Sequence, residues 1–311
     1  MRAAVMEARG SAPVVRDFGE PQASGDDVLV DVEVAGLGGW DVVGAYRLPT
    51  GYPCVIRGEG VGRTRDGRRV YFGERSVRPF GAVAERTVVP AAEVWDVPEG
   101  VDDATAITMG IAGTGALVPL EQAAIRPGES VLVLGGTGTL GQLALQLARV
   151  LGAGRVVAAA RGRGGLDRVL ERGIADAAVQ LGGADVATDA EALRAAAGEG
   201  FDVVLDMVYG APFLAALKAT RWGSRIVTIG TLAGATAEVP AGDLLFRTHG
   251  TVGTGQRSPE DRRAIWLRLL GLARDAKLEV DLVRYPLERA GEAWAQQAAS
   301  PHAKVLLDVR G

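Results

Sequence analysis

Two textures of apolar residues divide the chain. Through the first hundred or so residues, short β-branched runs at 2–5, 28–34, 69–72 and 82–89 alternate with glycine and proline, a pattern of mostly antiparallel strands. From Ser130 onward, continuous apolar runs of about five residues alternate with alanine- and leucine-rich stretches of helical period, the signature of βαβ units in a parallel sheet. Strands are predicted at 131–134, 156–160, 178–180, 203–206, 225–229 and 251–254, with helices at 140–151, 166–172, 190–197 and 212–220 between them. Six such strands match a full dinucleotide-binding fold. An amphipathic helix over 259–276, opened by Ser258 and Pro259, is expected to seal this lobe. The tail, strand 280–285, helix 289–299 and strand 304–309, is expected to rejoin the N-terminal part.

The turn Gly135-Gly136-Thr137-Gly138-Thr139-Leu140-Gly141 lies between the first predicted strand and its helix. A G-x-G-x-x-G in that setting binds a dinucleotide for physical reasons. Gly136 permits the tight turn, Gly138 lets a pyrophosphate approach the backbone, Gly141 lets helix and strand pack closely, and the helix N-terminus offers unpaired N–H groups. A carboxylate about 20 residues further on would hold the ribose 2′-hydroxyl of NAD. This chain instead reads Ala160-Arg161-Gly162-Arg163. Guanidinium forks at Arg161 and Arg163 suit a 2′-phosphate, so NADPH is the expected cofactor.

Length and composition bound the rest. At 311 residues two lobes are expected, and 48% hydrophobic with 23% charged residues is ordinary globular usage. A net charge of −4 without a polybasic tract argues against nucleic acid as a partner. No apolar run reaches the roughly 18 residues that span a bilayer, and the start MRAAVMEARG has no apolar signal core, so a cytoplasmic location with no membrane association is expected. The lone Cys54 supplies neither an internal disulfide nor a multi-thiolate metal site.

Further landmarks lie at 28–36 (Val-Leu-Val-Asp-Val-Glu-Val-Ala-Gly), 58–62 (Gly-Glu-Gly-Val-Gly), 126–133 (Arg-Pro-Gly-Glu-Ser-Val-Leu-Val) and 285–290 (Tyr-Pro-Leu-Glu-Arg-Ala). With the glycine turn they make the whole chain resemble the medium-chain dehydrogenase/reductase superfamily, and within it the zinc-independent quinone oxidoreductase branch. The resemblance implies an α/β architecture: a Rossmann-type doubly wound sheet over 118–276 and a β-rich GroES-like catalytic domain from 1–117 and 277–311. The active cleft is expected between the lobes at the C-terminal ends of the parallel strands.

In the zinc alcohol dehydrogenases of that superfamily a cysteine and a histidine hold the catalytic metal; by position they fall on Gly38 and Gly58 here, so no metal is expected. Hydride delivery without a metal favours acceptors that delocalise charge, quinones or α,β-unsaturated carbonyls. The resemblance assigns the hydrogen bond to the acceptor to Tyr46, with Tyr52 as second choice. It places Val208, Gly230, Thr231, Gly253 and Thr254 along the nicotinamide half of the cofactor. Gly38 and Gly115 stand where the branch carries polar side chains, which is expected to enlarge the pocket beside Trp40. Trp40 is open to two readings, a stacking platform or a core residue. Asp41 and Glu59 read as buried structural hydrogen-bonding groups, and His249 and His302 carry no assigned role. A homodimer through the edge strand of the dinucleotide domain is expected by the same resemblance. Two other functions stay open: a tailoring reductase or isomerase acting on one natural-product intermediate, and an NADPH-binding sensor or structural protein without turnover.

Overall fold

The structure, a computed structural model, describes residues 1–42, 51–182 and 185–310. The chain divides into two compact units, Met1–Ala112 with Ser258–Gly311, and Gly113–Arg257.

In the first unit, strand Asp27–Leu37 alternates Asp31 and Glu33 with Val30, Val32 and Val34, which are buried, as a strand with one face on a core requires. It is the axis of a seven-stranded sheet. Lys304–Asp308 and Leu282–Pro286 extend it on one side, Glu59–Thr64, Arg69–Phe72 and Val94–Asp96 on the other, and Arg86–Pro90 also pairs with it. The C-terminal tail thus rejoins the N-terminal strands. A small sheet of Val14–Asp17, Arg2–Met6 and Cys54–Val55 accompanies it. Trp294, Leu287 and Val305 join Val30, Val32 and Phe72 in one apolar core.

The helix Pro259–Ala276 forms as its sequence dictates. Ser258 Oγ accepts from Asp261 N at 3.1 Å, Pro259 occupies the first turn, and Lys277 closes the helix in the left-handed region. Its destination differs from the expectation, for it belongs to the first unit. Trp266 is fully buried there, stacks 5.0 Å from Tyr71, lies 5.7 Å from Trp95, and donates Nε1–H to Ala106 O at 2.9 Å. Periodicity marks an apolar stripe but does not say which surface covers it, and here the Tyr71–Trp95 platform does.

The second unit is a six-stranded, wholly parallel sheet. In spatial order its strands are Ala177–Gln180, Arg155–Ala160, Ser130–Leu134, Phe201–Asp206, Thr220–Thr228 and Thr248–Thr251. Sequence order 3-2-1-4-5-6 is the doubly wound arrangement whose chain reversal creates a dinucleotide crevice at the strands' C-terminal ends. The sixth strand lies three residues earlier than expected; Thr254–Gln256 is a 3-10 turn beyond it.

Candidate active site

The glycine turn closes strand Ser130–Leu134 and opens helix Thr139–Val150. Gly135 sits at φ +84°, a conformation that favours glycine. A Cβ at Gly136 would stand 3.0 Å from Ala158 Cβ, and one at Gly141 would overlap the Gly135 carbonyl, so both positions demand hydrogen for a side chain. Gly138 is the N-cap with no side chain over the helix terminus. Buried Gln142 braces the loop. Its Nε2 donates to Thr137 O at 2.9 Å and its Oε1 accepts from Arg172 at 2.8 Å. The amides of Gly135 and Gly136 are spent on Ala159 O and that of Gly138 on Gly135 O, so it is the N-terminus of the helix opening at Thr139, held on this rigid frame, that fits the pyrophosphate of a dinucleotide.

At the end of the second strand Ala160 is buried and no carboxylate follows. Arg161 is exposed and makes no ion pair among the described residues, while its carbonyl is held by Gln180 Nε2 at 3.0 Å. Arg163 is engaged by Asp167 at 2.9 Å, one turn along the same helix. Of the two arginines expected near a 2′-phosphate, Arg161 is the uncommitted one.

The ends of the fourth to sixth strands form a connected polar chain that the sequence does not reveal. Asp206, fully buried, accepts from Val208 N at 3.0 Å, Tyr209 N at 2.8 Å and Thr228 Oγ1 at 3.0 Å. Burial pushes its carboxyl above the usual range, against the pull of those donors. Because the Thr228 hydroxyl proton goes to Asp206, the 3.0 Å contact between Thr228 Oγ1 and His249 Nε2 has the imidazole N–H as donor. Val208 O in turn accepts from Ala233 N at 2.7 Å, so the loops carrying Val208 and Gly230-Thr231 are zipped together. A Cβ at Gly230 would overlap Met207 O. Gly253 and Thr254 follow the sixth strand as the N-cap and first residue of the 3-10 turn.

In the first unit Asp41 joins two backbone turns. Its carboxylate accepts from Gly38 N at 2.7 Å and from Gly58 N at 3.1 Å, while burial raises its pKa from 3.8 to about 6. A metal held by cysteine and histidine does not fit here. Glycine supplies no donor at either position, Gly58 stands at φ +56°, and a Cβ there would lie 2.9 Å from Gly36 O. The Asp41 oxygens are already bound to the two amides. Among the described residues no group of three or more His, Cys, Asp or Glu side chains could hold a metal ion.

Glu59, next in sequence, is 2% exposed and accepts from Lys304 Nζ at 2.6 Å, Tyr71 OH at 2.7 Å and Ile111 N at 2.9 Å. Both oxygens of this carboxylate meet donors, as a buried charge requires. Burial first, then the Glu59 charge, holds the Tyr71 hydroxyl well above its ordinary pKa. Lys304 gives no sign of this role in its sequence context, 245 residues away.

Trp40 is 46% exposed, which removes the core reading. Tyr52 is half-buried against the apolar core; Tyr46 lies outside the described residues. Among the described residues a Cβ at Gly38 would meet only Asp41 Oδ2, at 3.7 Å. Gly115 differs from the expectation: a Cβ would stand 2.8 Å from Leu140 Cδ1, so this glycine admits the glycine-turn helix and leaves no vacancy.

Comparisons with known proteins agree with this geometry. The family described as "Zinc-binding dehydrogenase" matches residues 139–270. Quinone oxidoreductase-like protein 2 of Mus musculus is 29% identical over 238 residues, covering 73% of this chain and 67% of that protein. Across that protein and its counterparts in rat, cattle and Nematostella vectensis the matched stretch takes in 54% to 71% of their length. Among solved structures, a mycobacterial protein complexed with NADPH superposes with a TM-score of 0.87 at 23% identity, over 99% of this chain and 100% of that one. A quinone oxidoreductase from Pseudomonas syringae does so with a TM-score of 0.84 at 23% identity, over 99% and 100%. With the 3-2-1-4-5-6 sheet, the glycine turn and the β-rich first unit already in place, these likenesses support the medium-chain dehydrogenase/reductase superfamily, quinone oxidoreductase-like branch, as the family this chain is similar to.

Proposed function

We propose that this chain is a zinc-independent, NADPH-dependent reductase of quinones or α,β-unsaturated carbonyls. The observation that carries the reading is Asp41 bridging the amides of Gly38 and Gly58, a carboxylate used to close backbone where zinc relatives build a metal site. Without a Lewis acid, a simple ketone's developing alkoxide has no strong partner, whereas an enone or quinone spreads that charge over its own conjugated system.

When bound, the cofactor supplies the hydride. The glycine turn holds its phosphates, Arg161 takes the 2′-phosphate, and Val208, Gly230, Thr231, Gly253 and Thr254 line its nicotinamide half. Tyr46, with Tyr52 as the second choice, donates a hydrogen bond to the acceptor's carbonyl oxygen and orients it. Trp40 offers an exposed ring face on which a flat acceptor stacks. The resemblance to a structure solved with NADPH and the absence of a carboxylate after Ala160 support NADPH over NADH. The lack of a side chain at Gly38 favours, as a second reading, a single bulky biosynthetic intermediate as the acceptor.

The test is NADPH oxidation against a panel of quinones, enones, enoyl thioesters and plain ketones. Turnover of the conjugated acceptors supports the proposal, and turnover confined to plain ketones overturns it. Cofactor binding with no turnover of any acceptor would point to a sensor or structural protein.

A further inference from the structure

Strand Phe201–Asp206 runs into a turn that needs outside support. Tyr209 stands at φ +57°, in the left-handed region that a side chain disfavours. Asp206 Oδ1 holds it there by accepting from Val208 N at 3.0 Å and from Tyr209 N at 2.8 Å. The loop after strand Thr220–Thr228 packs backbone to backbone on the same turn. Val208 O accepts from Ala233 N at 2.7 Å, and a Cβ at Gly210 would stand 3.1 Å from Ala233 O. A shift of Val208–Gly210 therefore carries that loop with it.

His249 governs this turn from the edge strand Thr248–Thr251. Its Nε2–H donates to Thr228 Oγ1 at 3.0 Å, which leaves the hydroxyl proton directed at Asp206 Oδ2, also at 3.0 Å. The imidazole thus fixes one hydroxyl rotamer, and the hydroxyl fixes the carboxylate whose other oxygen takes the two amides. The His249 ring lies 5.0 Å from that of buried Phe213, whose ring lies 4.9 Å from Tyr209. Packing on Phe213 keeps the imidazole plane turned towards Thr228 and closes the circuit on Tyr209 itself. An exposed histidine is in this way coupled to a buried carboxylate and, through it, to strained backbone. Such support suits a turn that must hold a reacting ring to within a fraction of an ångström.

We propose that His249 is a positioning residue for the nicotinamide: through Thr228 and Asp206 it holds Val208 and Tyr209 in the arrangement that receives the ring. This rests on the NADPH-dependent reading, which puts Val208 beside the nicotinamide half, and deepens it by giving that half a support on the sheet's edge strand.

The test separates the two halves of the cofactor. NADPH, and adenosine 2′,5′-bisphosphate, which carries the adenosine half alone, are each titrated into the full chain, and the fluorescence of bound NADPH is recorded. His249→Phe keeps a ring against Phe213 and removes the N–H, whereas His249→Gln keeps an N–H donor. Thr228→Val removes the hydroxyl, whereas Thr228→Ser keeps it. His249→Phe and Thr228→Val are expected to weaken NADPH about fivefold or more, the worth of one hydrogen bond, with adenosine 2′,5′-bisphosphate within about twofold of the unaltered protein. NADPH bound to these two should emit more like the free cofactor. His249→Gln and Thr228→Ser are expected to recover most of the affinity. Damage to the fold alone weakens both ligands together. Equal losses for both ligands, no loss in either His249→Phe or Thr228→Val, or losses in His249→Gln and Thr228→Ser as large as in their counterparts overturn the role. Turnover of a quinone and an enone is measured on the same samples. A selective, rescued loss of NADPH with no acceptor reduced leaves the positioning role standing and removes the reductase reading. Turnover with equal losses does the reverse, and an unaltered protein that binds no NADPH removes both.

Discussion

Asp41 carries a titration that sets a pH signature on the first unit. Its folded pKa of about 6 lies above the ordinary 3.8. Its contribution to stability is therefore fully present below about pH 4 and is lost as pH rises through about 6. Relative to Asp41→Asn, which cannot titrate, the unaltered protein should lose about 3 kcal/mol of stability between pH 4 and 7, since each tenfold change in proton affinity is worth about 1.4 kcal/mol. Urea unfolding of both proteins across that range checks it, and a pH-independent difference would contradict the assignment. Lys304→Met makes a second residue-level case. It leaves the Glu59 carboxylate buried with its cation gone, an arrangement that costs about 3–5 kcal/mol. Adding Glu59→Gln to it should restore part of that loss in the same measurement. Neither cluster is legible in the sequence beyond its parts. Asp41 and Glu59 stand out as carboxylates in an apolar, glycine-rich context, but Lys304 and Tyr71 become partners of Glu59 only through the sheet that brings distant segments together.

At the scale of elements, the glycine turn and its strand and helix are written locally and are readable. Apolar runs set the strands, and glycines mark the places where Gly135 needs positive φ and Gly141 needs contact with backbone. The alternation of strand and helix also announces the parallel sheet. What the pattern does not carry is destination. The stripe of Trp266, Leu269, Leu270 and Ala273 marks an amphipathic helix, yet its burial against Tyr71 and Trp95 depends on a surface assembled from residues far off in the chain. The sixth strand falls elsewhere than its expected place for a related reason. Thr248–Thr251 is an exposed edge with little apolar alternation, so the later threonine–valine run looks the better strand. The cofactor prediction belongs at this scale, since it concerns the loop after the second strand. Arg161→Ala should raise the KM for NADPH about tenfold, the worth of one guanidinium–phosphate contact, with little change for NADH. Equal losses with both cofactors would remove Arg161 from the 2′-phosphate site.

At the scale of the whole molecule, the outer edge of the sheet in the second unit is unpaired at Thr248–Thr251 among the described residues. Beside it the rings of Trp222 and Phe246 lie 5.2 Å apart, tilted by 38°, while 76% and 69% exposed, with Leu245 also exposed. An open edge flanked by aromatic surface is a template for pairing with another chain, and we propose that a second copy of this chain covers it. Light scattering on the eluting protein should give twice the 32.3 kDa chain mass, and Trp222→Asp with Phe246→Asp should shift it to the monomer; a monomer before substitution would refute the pairing. No helix among the described residues is long and apolar enough to cross a membrane.

The claim on which the account turns is that reduction here proceeds without a metal, in a site where Asp41 ties Gly38 to Gly58. The most direct measurement is the rate of NADPH oxidation with an enone or quinone before and after exhaustive chelation, with zinc content determined on the same sample. The account predicts substoichiometric zinc and an unchanged kcat/KM for the conjugated acceptor. Stoichiometric zinc whose removal abolishes turnover would contradict it.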